Sequence, residues 1–343
     1  MICLGIESTA HTFGISVVSD NKKSKDFLSD KSKKISHQKI LSNIITAYKT
    51  ESGGMVPAKV ADHHVEVLED TLKRALEKAG IDIMEIDLLA FSQGPGLGHA
   101  LRIGAGLART LSLLLNKPLI GVNHCIAHLE IGRYLTQARD PVLLYASGAN
   151  TQVIAYEAGK YRVFGETLDL GVGNFLDSFA RVLGLGFPGG PRIEELASKG
   201  KNYAKLPYTV KGMDISLGGI ETNLRSRIKK GGFSKEDLCF SVQETVFAML
   251  VEVAERAMAH TDKNELLLGG GVACNKRLQE MCELMCRERG AKLFVLENQF
   301  LVDNAAMIAA TGIEMYKAGI RTDIREASIR PYERTDDVSV KWR

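Results

Sequence analysis

The sequence predicts an α/β fold built of two related lobes, and three observations carry that reading. Short apolar runs of strand length alternate with longer stretches whose apolar residues recur at helical spacing. A strand, small polar turn, strand unit opens the chain and recurs about half a chain later. Several apolar strands run directly into glycine-rich turns. The chain has 343 residues, room for about two domains. Hydrophobic residues at 45% and charged residues at 25% exclude wholesale disorder.

The elements follow in order. Ile2 to Ile6 is a short apolar strand. Glu7-Ser8-Thr9-Ala10-His11-Thr12 is a polar turn rich in hydroxyls, and Phe13 to Val18 is the returning strand. This hairpin puts Glu7 at its tip, where a carboxylate is expected to be exposed. Residues 20–54 are polar and Lys-rich and read as a surface excursion with a short helix near Ile40 to Tyr48. Val60 to Ala79 has helical spacing and stops at Gly80. Leu88 to Phe91 is a buried strand leading into Gln93-Gly94-Pro95-Gly96-Leu97-Gly98. Leu101 to Leu115 is a second helix and Leu119 to Val122 another strand. Val142 to Ala146, the turn Ser147 to Thr151, and Gln152 to Tyr156 repeat the hairpin, followed by a third strand at Arg162 to Gly165. After Asn174 helices alternate with loops. Leu266 to Leu268 is a buried strand entering Gly269-Gly270-Gly271. Asp303 opens the last helix as its N-cap, and that helix runs to about Lys317 and stops at Gly319.

Composition narrows the function classes. Net charge is +3, from 44 basic and 41 acidic residues, and the positive charge is unevenly placed. Lys22, Lys23, Lys25, Lys31, Lys33, Lys34 and Lys39 form one cluster. Arg225, Arg227, Lys229 and Lys230 form a second; Arg321, Arg325, Arg330, Arg334, Lys341 and Arg343 form a third. Each is a solvated face or a set of phosphate contacts on a nucleic acid. The longest near-apolar run, Leu266 to Cys274, falls far short of the roughly 18 residues of a membrane span. The first residues lack a basic leader, so a soluble, cytoplasmic protein is expected. Six cysteines without a CxxC pair argue against a zinc ribbon or a disulfide scaffold. Cys282 and Cys286, one helical turn apart, read as packing residues.

Three groups of residues could carry chemistry. In Asn123-His124-Cys125-Ile126-Ala127-His128, two histidines four apart on a helix point the same way. They are either a metal-binding pair or two partly buried imidazoles at a helix start. Cys125 occupies the position where an HExxH peptidase needs its glutamate base, so that class is disfavoured. The turns Gly94-Pro95-Gly96, Ser147-Gly148-Ala149-Asn150 and Gly269-Gly270-Gly271 let backbone amides crowd an anion. Several such turns in a two-lobed chain favour a nucleotide held in the cleft between the lobes. No P-loop or dinucleotide fingerprint is present in context. The acidic candidates are Glu7, Asp169, Asp177, Glu194 and Asp303. Asp177 and Glu194 flank Gly189-Gly190-Pro191 and could accept from ligand hydroxyls.

Taken in order, Gly5-Ile6-Glu7-Ser8-Thr9-Ala10, Gly94-Pro95-Gly96, Asn123 to His128, Tyr145 to Gln152, Pro188-Gly189-Gly190-Pro191, Gly270 to Asn275 and Asp303-Asn304 resemble one family over nearly the whole chain. It is the tRNA N6-threonylcarbamoyladenosine transferase family (TsaD-like), in the archaeal and eukaryotic form that is the catalytic subunit of the KEOPS complex. The resemblance implies the ASKHA fold of actin, Hsp70 and sugar kinases: two lobes with mixed sheets flanked by helices and a nucleotide cleft between them. It implies lobes of residues 1–139 plus 303–343 and of residues 140–302. It implies transfer of a threonylcarbamoyl group from threonylcarbamoyl-AMP to N6 of adenosine 37 in tRNAs reading ANN codons.

By the same resemblance, one transition-metal ion, iron or zinc, falls to His124, His128, Tyr145 and Asp303. The adenylate falls to Tyr145, Ala146, Ser147, Gly148, Ala149, Asn150, Asp177, Gly190, Glu194 and Asn275, with Mg accompanying ATP if that nucleotide binds. Glu7 is the candidate catalytic carboxylate. The implied partners are tRNA, a RIO-type kinase on a separate chain, a small dimer-forming subunit and a kinase-binding regulator. Three departures from the family pattern stand out: Ala149 for a glycine, Gly218 for a hydroxyl residue and Ala305 for a glycine. If position 149 needed a left-handed backbone, Ala149 would strain its turn by ~1–2 kcal/mol. Two other readings remain open: an ASKHA small-molecule kinase or carbamoyltransferase, and a nucleotide-binding scaffold with weak or lost activity.

Overall fold

The computed structural model describes residues 1–20, 40–50 and 55–343. In chain order the elements are β1 (Ile2–Glu7), β2 (Thr12–Ser19), β3 (Ile40–Ala47), α1 (Pro57–Ala79), β4 (Leu88–Gly94), α2 (Gly98–Leu115), β5 (Leu119–Asn123) and α3 (His124–Leu135). Next come β6 (Val142–Ala146), β7 (Thr151–Glu157), β8 (Lys160–Glu166), α4 (Val172–Val182), α5 (Gly189–Ala197), β9 (Val210–Lys211), β10 (Asp214–Ile215), α6 (Gly218–Lys230) and α7 (Lys235–His260). The chain finishes its regular structure with β11 (Glu265–Gly269), α8 (Lys276–Arg289), β12 (Lys292–Phe294), α9 (Asn298–Leu301) and α10 (Ala305–Lys317).

The recurrence seen in the sequence is a recurrence of topology. One five-stranded sheet has the order β3-β2-β1-β4-β5 and the other β8-β7-β6-β11-β12. In each, an antiparallel three-strand meander continues into two parallel strands: β1 pairs antiparallel with β2 and parallel with β4, and β6 pairs antiparallel with β7 and parallel with β11. The parallel strands are apolar on both faces because helices cover both sides. Leu88, Leu89, Ala90 and Phe91 are all wholly buried, as are Leu266, Leu267 and Leu268.

Helix α3 lies between the sheets, against β4 and β5 on one side and β6 and β11 on the other. Helix α10 packs on β1, β2, β4 and α3. Its alanines make this approach close. A Cβ on Gly5 of β1 would sit 2.4 Å from the Ala305 carbonyl oxygen and 2.8 Å from the Ala309 methyl. Any side chain at position 5 would push the helix off the strand. Ala305 itself is wholly buried in that contact. One continuous core runs from Cys3, Leu88 and Ile120 of the first sheet through α3 and α10 to Leu144, Leu266 and α7 of the second.

Four expectations need correction. The segment from Ile40 is the edge strand β3, antiparallel to β2, and not a helix. Its Ile-Ile-Thr run is β-branched, and pairing with β2 supplies backbone partners that a short isolated helix would lack. Residues 21–39 and 51–54 of the Lys-rich excursion, with all seven lysines of the first cluster, lie outside the described residues. Glu7 ends strand β1 and is wholly buried, because the hairpin tip tucks under α2 instead of meeting solvent; Ser8 is also wholly buried, against Gly104. Asn304, not Asp303, caps α10, its side chain accepting from the Met307 amide. Ala149 has no left-handed backbone, so its turn carries no such strain.

The other basic clusters are largely committed within the molecule. Arg225 pairs with Glu221, Arg325 with Asp323, Arg330 with Glu333, and Arg334 with Asp336. Arg343 packs over Tyr156 and pairs with Asp140. Cys282 and Cys286 are buried packing residues on α8. Among the described residues no helix is long and apolar enough to cross a membrane.

Candidate functional site

The site forms where strand ends of both sheets meet the start of α3. Asn123 closes β5 and caps α3, its Oδ1 accepting from the Ile126 amide at 3.2 Å. That cap starts the helix at His124, so His124 and His128 project from one face a turn apart. Their rings lie 4.9 Å apart, nearly perpendicular. Tyr145, next to last on β6, brings its hydroxyl to 3.1 Å from His124 Nε2. Asp303, freed from capping by Asn304, places Oδ1 3.4 Å from Nε2 of both histidines. His124, His128 and Asp303 each offer a ligand atom within 4.8 Å of one another.

Glu7 completes the surroundings of His124. Its Oε2 is 3.1 Å from His124 Nδ1, while Oε1 accepts from the Thr9 amide at 2.7 Å and from the Thr9 hydroxyl. The carboxylate thus fixes the ring through Nδ1 and leaves Nε2 facing Asp303 and Tyr145. This is the arrangement in which a second carboxylate orients a metal-bound histidine. Both oxygens of Glu7 are engaged.

The electrostatics fit a site meant to hold positive charge. Burial opposes charge on His124, but the Glu7 carboxylate, with Tyr145 and Asp303, raises its proton affinity well above that of an ordinary histidine. Burial lowers His128. Burial alone would raise the Asp303 carboxyl, yet the His124 charge and the hydrogen bonds from both imidazoles hold it well below the usual carboxylate range. Burial keeps the Tyr145 phenol protonated far above neutral pH in the absence of a cation. Two imidazoles, a carboxylate and a phenol turned toward one point are a mixed nitrogen and oxygen donor set, which a transition metal accepts. The residues present therefore fit such an ion.

Beside this cluster the β6–β7 turn forms a cradle. The Ser147 hydroxyl and amide both donate to the Asn150 carbonyl, at 2.9 Å each. Ala146 is buried; Gly148 and Ala149 are exposed at the tip. Three glycines wall the turn closely. A Cβ on Gly173 would come within 2.7 Å of Gly148, and one on Gly171 within 2.4 Å of the Ala149 carbonyl oxygen. Gly270 has φ +88°, and a Cβ there would lie 2.3 Å from the Ala146 carbonyl oxygen. In contrast, Gly190 and Gly271 face open space.

The remaining predicted ligand residues are tied to one another. Asp177 on α4 accepts from the Gly189 amide at the start of α5, at 2.7 Å, and burial raises its carboxyl. Glu194 on α5 accepts from the Lys276 amide at the start of α8, at 2.8 Å. Asn275 caps α8 and donates to Gln243 at 3.1 Å. One oxygen each of Asp177 and Glu194 remains for a ligand, whereas Asn275 shapes the helix start. Asp169 accepts from the Leu217 and Gly218 amides and serves the start of α6. Sequence reasoning missed Thr9 and the capping role of Asn304. Asparagine caps as well as aspartate does, which was the available signal.

Comparison with known proteins bears on what this arrangement is for. Residues 39–310 match the family described as tRNA N6-adenosine threonylcarbamoyltransferase. A protein of that name from Thermococcus sibiricus is 51% identical over 342 residues, covering 100% of both chains. A probable bifunctional tRNA threonylcarbamoyladenosine biosynthesis protein of Methanosarcina acetivorans is 51% identical over 99% of this chain and 59% of its own. Among solved structures, HypF from T. kodakarensis superposes with a TM-score of 0.63 at 14% identity, over 93% of this chain and 48% of that one. The activator of the 2-hydroxyisocaproyl-CoA dehydratase from Clostridium difficile, with bound ADPNP, gives 0.51 at 12% identity, over 94% and 99%. These two likenesses show the fold alone, and it is the ASKHA architecture.

Proposed function

The chain belongs to the tRNA N6-adenosine threonylcarbamoyltransferase family, and from that membership we propose how its site performs the transfer. The protein is an enzyme of tRNA modification that moves a threonylcarbamoyl group to N6 of adenosine, with threonylcarbamoyl-AMP as donor and adenosine 37 of tRNAs reading ANN codons as acceptor. In the reaction the adenine amine adds to the carbamoyl carbon, the bond from that carbon to the phosphate oxygen breaks, AMP leaves, and the amine loses a proton. The leaving group is already a good one, so positioning dominates the protein's contribution.

The observation that carries this reading is the convergence of His124, His128, Tyr145 and Asp303 beside a glycine-walled turn. Iron or zinc suits those four donors, and an ion held there supplies Lewis acidity at the attacked carbonyl. Glu7, the candidate catalytic carboxylate, would orient His124 through Nδ1. The Gly148 and Ala149 amides at the tip of the turn, with those of the open glycines Gly190 and Gly271, would bind the phosphate. The free oxygens of Asp177 and Glu194 would take ribose hydroxyls. We take the lobes as residues 1–139 plus 303–343 and residues 140–302; the packing of α10 on the first sheet supports that division, while the last residues, from Thr335, cross to β8 of the second sheet.

The proposed setting is the cytoplasm. The proposed partners are tRNA, a RIO-type kinase, a small dimer-forming subunit and a kinase-binding regulator. Relatives named bifunctional extend well beyond the region they share with this chain, which supports a second activity working alongside this one. The test is incubation with threonylcarbamoyl-AMP, unmodified tRNA and those partners, followed by nucleoside analysis. Threonylcarbamoyladenosine is the expected product. Its absence, while the Thermococcus relative succeeds in parallel, would leave the scaffold reading. ATP hydrolysis with a phosphorylated small product would indicate a kinase.

A further inference from the structure

Segment 320–343 crosses from one sheet to the other along the side of α3 that faces away from the metal cluster. It starts on the first sheet, where the Gly121 amide donates to the Thr322 hydroxyl at 2.9 Å and the Arg330 amide to the Gln93 carbonyl at 2.7 Å. It ends on the second, where Ser339 bridges to Lys160 of β8 and Val340 is buried. On the way it meets α3 at its N-cap and at its second turn. Asn123, the cap, donates its Nδ2 to Glu333 at 3.0 Å. Near the other end, the Trp342 indole N–H donates to Glu130 at 3.0 Å.

Glu130 is an expensive residue to place there. It is 7% exposed, and its carboxylate is satisfied by Arg133 at 2.7 Å, by the Tyr161 hydroxyl and by Trp342. Apolar residues of similar volume commonly stabilise such a position as well or better, so a buried and fully bonded carboxylate points to a positional role. Its position is two residues after His128, on the helix that carries both imidazoles. Helix α3 touches both sheets, so any shift of one lobe against the other tends to turn it. A rotation of about 20° would move an imidazole nitrogen by about 2 Å, far outside the tolerance of about 0.5 Å for a working ligand set.

We propose that Glu130 and Trp342 are positioning residues for the metal ligands: the strap formed by segment 320–343 locks the rotation of α3, and with it His124 and His128. This inference rests on the metal reading given above.

The experiment measures Zn²⁺ and Co²⁺ affinity by competition with a chromophoric chelator, and the visible Co²⁺ spectrum, on the full chain. Trp342→Phe, which keeps the ring and loses the N–H, and Glu130→Ala should each weaken metal binding tenfold or more and change the Co²⁺ band. Glu130→Gln, which keeps an oxygen for the indole, should recover part of the loss. Arg289→Met removes a partly buried ion pair to Glu255, between α8 and α7 and away from both α3 and the strap. It should lower thermal stability and leave metal affinity within twofold. Metal affinity within twofold of the parent in both Trp342→Phe and Glu130→Ala would overturn the proposal, as would an equal loss in Arg289→Met. A parent that takes up neither metal would instead sink the metal reading, and this inference with it.

Discussion

At His124 the two ring nitrogens have separate tasks. Nδ1 is held by Glu7 and Thr9, and Nε2 faces Tyr145 and Asp303. Removing both imidazoles in His124→Ala with His128→Ala leaves one carboxylate and one phenol, too few donors for a tight site. The double variant should carry less than a tenth of the parent's bound metal by elemental analysis. A different histidine governs acid stability. His64 on α1 is wholly buried against Phe13, and burial, with the nearby charge of His63, lowers its pKa to about 4. In the unfolded chain it titrates near ~6.5, so the unfolded state binds the proton first. The stability associated with neutral His64 is complete above about pH 6.5. It is lost as the pH falls toward 4, by up to about 3 kcal/mol. Urea midpoints for His64→Leu should therefore fall less between pH 7 and pH 4 than those of the parent.

At the scale of elements, helix starts do most of the placing. Asn123 caps α3, Asn275 caps α8 and Asn304 caps α10. Asn304 has a double function. It accepts from the Met307 amide, and its Nδ2 donates to the Val302 carbonyl at 2.9 Å, folding the turn that presents Asp303. Asn304→Ala should cost about 1 kcal/mol of stability as a lost cap. Its effect on metal affinity should exceed that on stability, because the Asp303 turn is released too. Equal losses in chemical denaturation and in metal titration would show that the cap does not place the ligand. The glycines act at this scale as well. Gly270 and Gly5 let a turn and a helix approach strands to distances that a Cβ would forbid.

For the whole molecule, the two sheets share a topology but not separate cores. The main apolar cluster passes from β1 and β4 through α3 and α10 to β6, β11 and α7 without a break. The two lobes should consequently unfold together. Calorimetry should give one transition whose calorimetric and van't Hoff enthalpies agree. Two resolved transitions would mean that the shared layer contributes little. Net charge of +3 also looks different at this scale. Much of the positive charge in the described clusters is spent on internal pairs such as Arg330 with Glu333 and Arg343 with Asp140, so a tRNA backbone would meet fewer free cations than a count suggests.

Sequence by itself determined the class of fold, the repeated hairpin and the residue types of the site. Those properties live in local patterns: apolar period, the four-residue spacing of His124 and His128, and glycine where strands end. Local pattern did not determine what Glu7 or Asp303 would do, although the family resemblance pointed to Asp303 as a ligand. A carboxylate in a polar turn is exposed by default, and an aspartate before a helix is a cap by default, because local chemistry knows only neighbouring residues. Tertiary structure decided otherwise. Burial of the first hairpin under α2 turned Glu7 onto His124, and Asn304 took the cap and left Asp303 to the imidazoles. The edge strand at Ile40 was decided in the same way, since β2 offered backbone partners that no short-range pattern can reveal.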